Sequence, residues 1–148
     1  VFRLTGPTIY LDLDTIIPRN IDHFVWVVEN ALESDTLYML NAFNPRRDYA
    51  SGVMAWSGDH SYIYKNFSLR HRLHRWDQFY IKHTAKKVVG FNEIMTGLRI
   101  VSYKRHGITP LADIVCFHGP KETDQIHYVA EHDEAVAKLW RPEICLQF

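Results

Sequence analysis

Asp12 and Asp14 stand one residue apart in the apolar run TIYLDLDTIIP, residues 8–18. Successive strand side chains point to opposite faces, so a strand here puts both carboxylates on one face and Ile9, Leu11 and Leu13 on the other. Two like charges that close repel, and burial makes each costlier. A divalent cation or a phosphoryl group relieves that conflict. Hard carboxylate oxygens suit Mn²⁺ or Mg²⁺, and such an ion bridges the phosphates of a nucleotide diphosphate. Alternatively, one aspartate attacks a phosphoryl group while the other moves protons. The plain structural reading is a strand end with two solvated aspartates.

The elements that must position this pair form an alternating α/β pattern. Residues 8–13 read as a buried strand, and 21–32, IDHFVWVVENAL, as a short helix. Residues 36–43 and 52–56 read as strands separated by the turn-rich NPRRDYAS. Tyr62, Ile63, Phe67 and Leu69 lie near helical spacing within 60–73, and 76–83 reads as a second helix. Strands follow at 98–103 and 113–117, and a final helix at 131–140 stops before Pro142.

The chain has 148 residues, 47% apolar and 14% aromatic, which suits one packed domain, residues 1–148. Zero formal charge provides no electrostatic footprint for nucleic acid, so no nucleic-acid partner is expected. Two cysteines, Cys116 and Cys145, are too few for a disulfide framework and fit a reducing, cytoplasmic setting. No apolar run is long enough for a transmembrane segment, and no signal peptide is evident.

Other residues carry chemistry less specifically. His71 and His74 sit at i, i+3, but no Cys or further spaced His completes a zinc set. RHRLHRW, residues 70–76, could meet a phosphate, a lipid headgroup or nucleic acid, but such a run is more often a solvated helix face. His127 and His132 read as surface, and Trp56 and Trp76 as core.

YLDLDT also fits the first motif of haloacid-dehalogenase-type phosphatases, with Asp12 as nucleophile and Asp14 as general acid/base. That reading needs a later acidic pair at another strand end to hold Mg²⁺. Asp59 in WSGDHS is the near miss, and it stands alone.

YLDLDTII with IDHF, then ASGVMAW, RWDQFYI and DIVCFHGPK follow in order along the chain, and together they resemble A-type-fold (D-x-D) glycosyltransferases, especially bacterial and phage-type relatives of the glycogenin-like family. YLDLDTII followed by IDHF resembles the D-x-D segment. ASGVMAW, residues 50–56, resembles the NSGvMaW strand, with Ala50 replacing the usual Asn. RWDQFYI, residues 75–81, resembles the Asp-Gln segment, and DIVCFHGPK, residues 113–121, the late His-Gly segment.

The resemblance implies an α/β fold, a mixed sheet flanked by helices, like the C-terminal part of a nucleotide-diphospho-sugar transferase. It implies metal-dependent transfer of a sugar from a nucleotide-sugar donor to an acceptor hydroxyl. Asp12, Asp14 and His118 would hold Mn²⁺ or Mg²⁺. Lys121 would neutralise the leaving diphosphate, and Ser51, Gly52 and Gly119 would lie where backbone approaches the donor. Asp77 and Gln78 would contact the transferred sugar. Against these roles, His118 taken without the two aspartates reads first as a core histidine bonded to backbone, and Asp77 could be a charge complementing a helix start. After His118 the chain continues GPKETDQ where such enzymes usually continue Lys-Pro-Trp.

In that fold, βαβ units of ~30 residues each precede the D-x-D strand and hold the nucleotide base. Only eleven residues precede Asp12. The expectation is an N-terminally incomplete transferase domain or a non-catalytic remnant. It would bind donors weakly and self-associate through an uncovered edge near residues 8–13.

Overall fold

A computed structural model of the chain describes residues 1–68, 77–119 and 121–140. The run 70–76, with His71 and His74, lies outside the described residues, as do Leu69, Pro142 and Cys145. The chain divides into two compact units, Val1–Asp12 with Asp22–Leu98, and Leu13–Ile21 with Arg99–Phe148. Each is α/β, a mixed sheet flanked by helices.

The first unit contains a four-stranded sheet in the order β1-β4-β3-β5. Its strands are β1 (Thr8–Leu11), β3 (Thr36–Asn41), β4 (Tyr49–Trp56) and β5 (Lys87–Gly90). β4 runs antiparallel to both β1 and β3, whereas β5 runs parallel to β3. The near-continuous apolar run of β3 follows from its central place, covered on both faces. Leu37 and Met39 are completely buried there. Trp56 is fully buried at the end of β4, its ring centroid 5.1 Å from that of Phe2. Between Met39 and Leu40 the β3–β4 register shifts, so Ser51, Gly52 and Val53 have no partner on β3.

Helix α1 (Asp22–Asn30) buries Phe24 and Val28, one turn apart, and leaves Trp26 exposed on its outer side. Phe24 meets Phe91 of α4 (Phe91–Ile94) edge to face at 5.3 Å. Helices α2 (Ser61–Lys65) and α3 (Asp77–Thr84) contribute Ile63 and Ile81 to the core around Met39, Met54 and Trp56. Tyr80 Oη donates to the Ile63 carbonyl at 2.6 Å and ties the two helices together.

The second unit has a three-stranded sheet, β2-β7-β6, from β2 (Thr15–Ile16), β6 (Ile100–Ser102) and β7 (Ile114–Cys116). β2 is antiparallel and β6 parallel to β7, the buried central strand. Helix α5 (Tyr103–His106) follows β6, and a 3₁₀ turn spans Glu122–Asp124. Helices α6 (Ile126–His132) and α7 (Glu134–Leu139) close a core of Ile16, Val115, Phe117, Ile126, Val129 and Val136.

Two expectations need correction. Residues 8–13 do not form one buried strand: β1 ends at Leu11, and Leu13 is 91% exposed. The ladder closes with the Asp12 N–H donating to the Gly52 carbonyl at 2.9 Å. The chain then leaves β4, and Phe117 N–H donates to the Asp14 carbonyl in a different sheet. Asp12 and Asp14 therefore do not share one strand face. The final helix is also not continuous over 131–140. Asp133 adopts an extended backbone, and its carboxylate accepts from Ala135 N–H and Val136 N–H. That cap ends α6 and starts α7.

Candidate functional site

In the first unit, Tyr10 and Met54 face each other in register, as do Met39 and Met54, and all three belong to the core that includes Ile81 of α3. Asp12, two residues after Tyr10, falls on the same side, where Tyr10 Oη donates to Asp12 Oδ1 at 2.6 Å. Asp12 Oδ2 lies over Gly52, 3.4 Å from where a Cβ would stand. A larger side chain at residue 52 would push against this carboxylate.

The next residue back along β4 receives the second carboxylate. Ser51 is buried, and its Oγ donates to Asp77 Oδ2 at 2.9 Å. Asp77 opens α3, where a negative charge complements the helix dipole. Consecutive residues of β4 thus anchor Asp12 and Asp77. The unpartnered stretch Ser51–Val53 makes this geometry available, because its backbone is released from β3. Gln78 does not follow Asp77 to Ser51. Successive helix residues diverge by about 100°, and Gln78 lines a separate cavity with Arg46, Arg47 and Lys82.

In the second unit, Asp14 pairs with Phe117, which places it at the strand end that His118 follows. His118 Nε2 lies 2.6 Å from Oγ of the fully buried Ser102. Burial lowers the His118 pKa, and the nearby Lys104 and Arg105 charges lower it further, against an opposing pull from Asp124. A neutral imidazole held by a neighbouring hydroxyl is a competent nitrogen ligand.

Gly119 has φ 146°, and a Cβ there would fall 2.1 Å from Asp124 Oδ2. Only glycine fits so close an approach. Asp124 also accepts from Lys104 Nζ at 2.9 Å, and Gln125 Nε2 donates to the Gly119 carbonyl at 2.9 Å. The divergent residues ETDQ therefore brace the loop after His118. Lys121 is exposed beside them, with its backbone N–H 3.4 Å from Asp124 Oδ2.

Of the three candidate metal ligands, Asp12 belongs to the first unit, and Asp14 and His118 belong to the second. Two carboxylates and a neutral imidazole are chemically suited to Mn²⁺. Among the described residues, no group of three or more His, Cys, Asp and Glu is arranged to hold a metal ion. No described helix is long and apolar enough to cross a membrane.

Sequence reasoning missed Tyr10 and Ser102 as partners of candidate residues. Tyr10 was legible in the period-2 alternation that aligns it with Asp12. Ser102 carries no local signal, because its meeting with His118 depends on the parallel pairing of β6 with β7. Compared with protein-family models, curated proteins and solved structures, the chain finds no match in any of the three.

Proposed function

We propose that the chain is a glycosyltransferase of the A-type fold, or part of one, acting on a nucleotide-diphosphate sugar and an acceptor hydroxyl. The carrying observation is the anchoring of Asp12 and Asp77 on consecutive residues of β4. It joins three of the segments whose residues resemble that family. In this reading Asp77 is held by Ser51 to meet the transferred sugar, while its second oxygen stays available for a sugar hydroxyl. The acceptor oxygen attacks the anomeric carbon as the bond to the diphosphate breaks. Lys121, on the braced loop after His118, offsets the charge that develops on the leaving diphosphate. Asp14 and His118, both in the second unit, would contribute to holding a divalent cation, which supplies further charge neutralisation when bound.

A non-catalytic chain of the same ancestry is the second reading. The separation of Asp12 and Asp14 onto different ladders favours it. The phosphatase reading is weaker, because it needs a later acidic pair at another strand end, and Asp59 in WSGDHS stands alone.

Saturation-transfer NMR with uridine and guanosine diphosphate sugars, in the presence of Mn²⁺, tests the proposal. Weak sugar-proton signals from one donor that vanish in Asp77→Asn are expected. No signal from any donor would overturn the transferase reading in favour of the non-catalytic one.

A further inference from the structure

The turn NPRRD between β3 and β4 is tightly pinned. Arg46 N–H donates to Asn44 Oδ1 at 3.0 Å, Arg47 N–H to the Asn44 carbonyl at 3.0 Å, and Ala42 N–H to the Asp48 carbonyl at 3.0 Å. Beside it runs α3. Between turn and helix lies a cavity of about 240 Å³, lined by residues 46–49 of the turn and by Gln78, Phe79, Lys82 and His83 of the helix. The transferase reading uses none of these groups except Gln78.

The lining has a distinct chemistry. Three cationic side chains face one carboxylate, Asp48, which Lys82 Nζ engages at 2.5 Å. The same ammonium stands 5.6 Å from the Tyr49 ring centroid, a cation–π arrangement that holds it against the wall. The Phe79 and His83 rings stack at 3.9 Å, one helical turn apart. His83 Nδ1 lies 2.8 Å from the Phe79 carbonyl, which assigns the proton of the neutral ring to Nδ1. The cavity thus combines guanidinium forks, which suit a doubly charged oxyanion, with aromatic faces, which suit a flat ring.

We propose that this cavity binds a small, ring-bearing phosphate monoester. Arg46 and Arg47 take the phosphate, Gln78 donates to its ester side, and Phe79 and Tyr49 flank the ring. A carboxylate ligand would use the forks less fully, because a phosphate monoester presents three terminal oxygens and about two charges near neutral pH. The volume lies below the ~300–1,000 Å³ of drug-sized sites, which favours a compact ligand. The site lies within one compact unit, and its occupancy is independent of whether the chain transfers sugar.

Phenyl phosphate, inorganic phosphate and phenol serve as probes, titrated into the full chain without metal or nucleotide and followed by amide chemical shifts. Phenyl phosphate is expected to bind at least threefold more tightly than inorganic phosphate. Phenol is expected to leave the spectrum unchanged, and the phenyl phosphate shifts to centre on residues 44–49 and 78–83. Arg46→Gln and Arg47→Gln, both at exposed turn positions, should each weaken phenyl phosphate about tenfold without altering the thermal midpoint. Phe79→Ala should erase the preference over inorganic phosphate. Equal affinity for the two phosphates, shifts centred elsewhere, or arginine variants that bind like wild type would overturn the assignment. So would binding confined to phosphatidic acid vesicles.

Discussion

Ser51 Oγ donates to Asp77 Oδ2 at 2.9 Å, tying the bulged middle of β4 to the first residue of α3. The hydroxyl is buried and the carboxylate is largely exposed. The bond therefore presents a charged group from a rigid strand. Ser51→Ala is expected to cost about 1 kcal/mol, the usual worth of one such hydrogen bond. Asp77→Asn keeps an acceptor for Ser51 and should change stability by less than about 0.5 kcal/mol, yet abolish the donor signal. Urea denaturation of both variants checks the pair. Equal losses in the two would mean that the charge itself, not the bond, holds the helix start.

Mn²⁺ binding is expected to be weak and to need Asp14 and His118, which the Asp14–Phe117 pairing brings to one strand end. Paramagnetic broadening of amide signals reports it directly. In Asp14→Ala the broadening should disappear. If wild type and variant respond alike, or the effect centres on His71 and His74, Asp14 is no ligand.

His60 is 1% exposed and packs its ring between Trp56 and Tyr62. Burial lowers its pKa below the ordinary 6.5, against weaker opposing contributions from the Ser34 backbone, Asp59 and Asp35. Below pH 6.5 the unfolded chain takes up a proton that the folded chain resists, so stability is lost as pH falls. The carboxylates with lowered pKa values act at lower pH, starting from 4.5 or 3.8. The thermal midpoint should therefore already drop between pH 6.5 and 5.5. His60→Phe, which keeps the ring contacts, should reduce the slope in that interval, the remainder belonging to His118, whose pKa burial also lowers; an unchanged slope would assign the whole loss to other groups.

Leu13 is 91% exposed where the alternation of LDLD expects an inward residue. Leu13→Lys should change stability by less than about 0.5 kcal/mol, as surface substitutions do. A loss above 2 kcal/mol would restore the single buried strand. Light scattering on the same pair tests self-association near this edge. Wild type should weigh more than a monomer, and the added lysine should reduce that mass, since it replaces a 91% exposed apolar side chain with a charge.

Periodicity made most elements legible. Phe24 and Val28 at i, i+4 marked the buried stripe of α1, and the unbroken TLYML marked a central strand. The pairing of Asp77 with Ser51 was not legible, since 26 residues separate them and neither has a local signal. The short strands β2 and β5 were not legible. Thr15–Ile16 is too brief for any period, and Lys87–Gly90 gains its place only by pairing with β3. The break before α7 was written in Asp133 itself, a capping residue type inside an apolar-periodic run, which the helical pattern overrode.

Side-chain pattern alone determined the α/β class, the apolar strands and the residue types able to carry chemistry. Tertiary structure decided which of them meet. Strand alternation promised Asp12 and Asp14 a common face, but alternation holds only while one ladder continues. The ladder of Asp12 ends at Gly52, and that of Asp14 begins at Phe117. Likewise Asp77 and Gln78 are neighbours in sequence, and the turn of the helix sends one to Ser51 and the other to the arginine-lined cavity. Short-range spacing fixes directions within an element. Which partner waits in that direction depends on long-range pairing, and no local pattern encodes it.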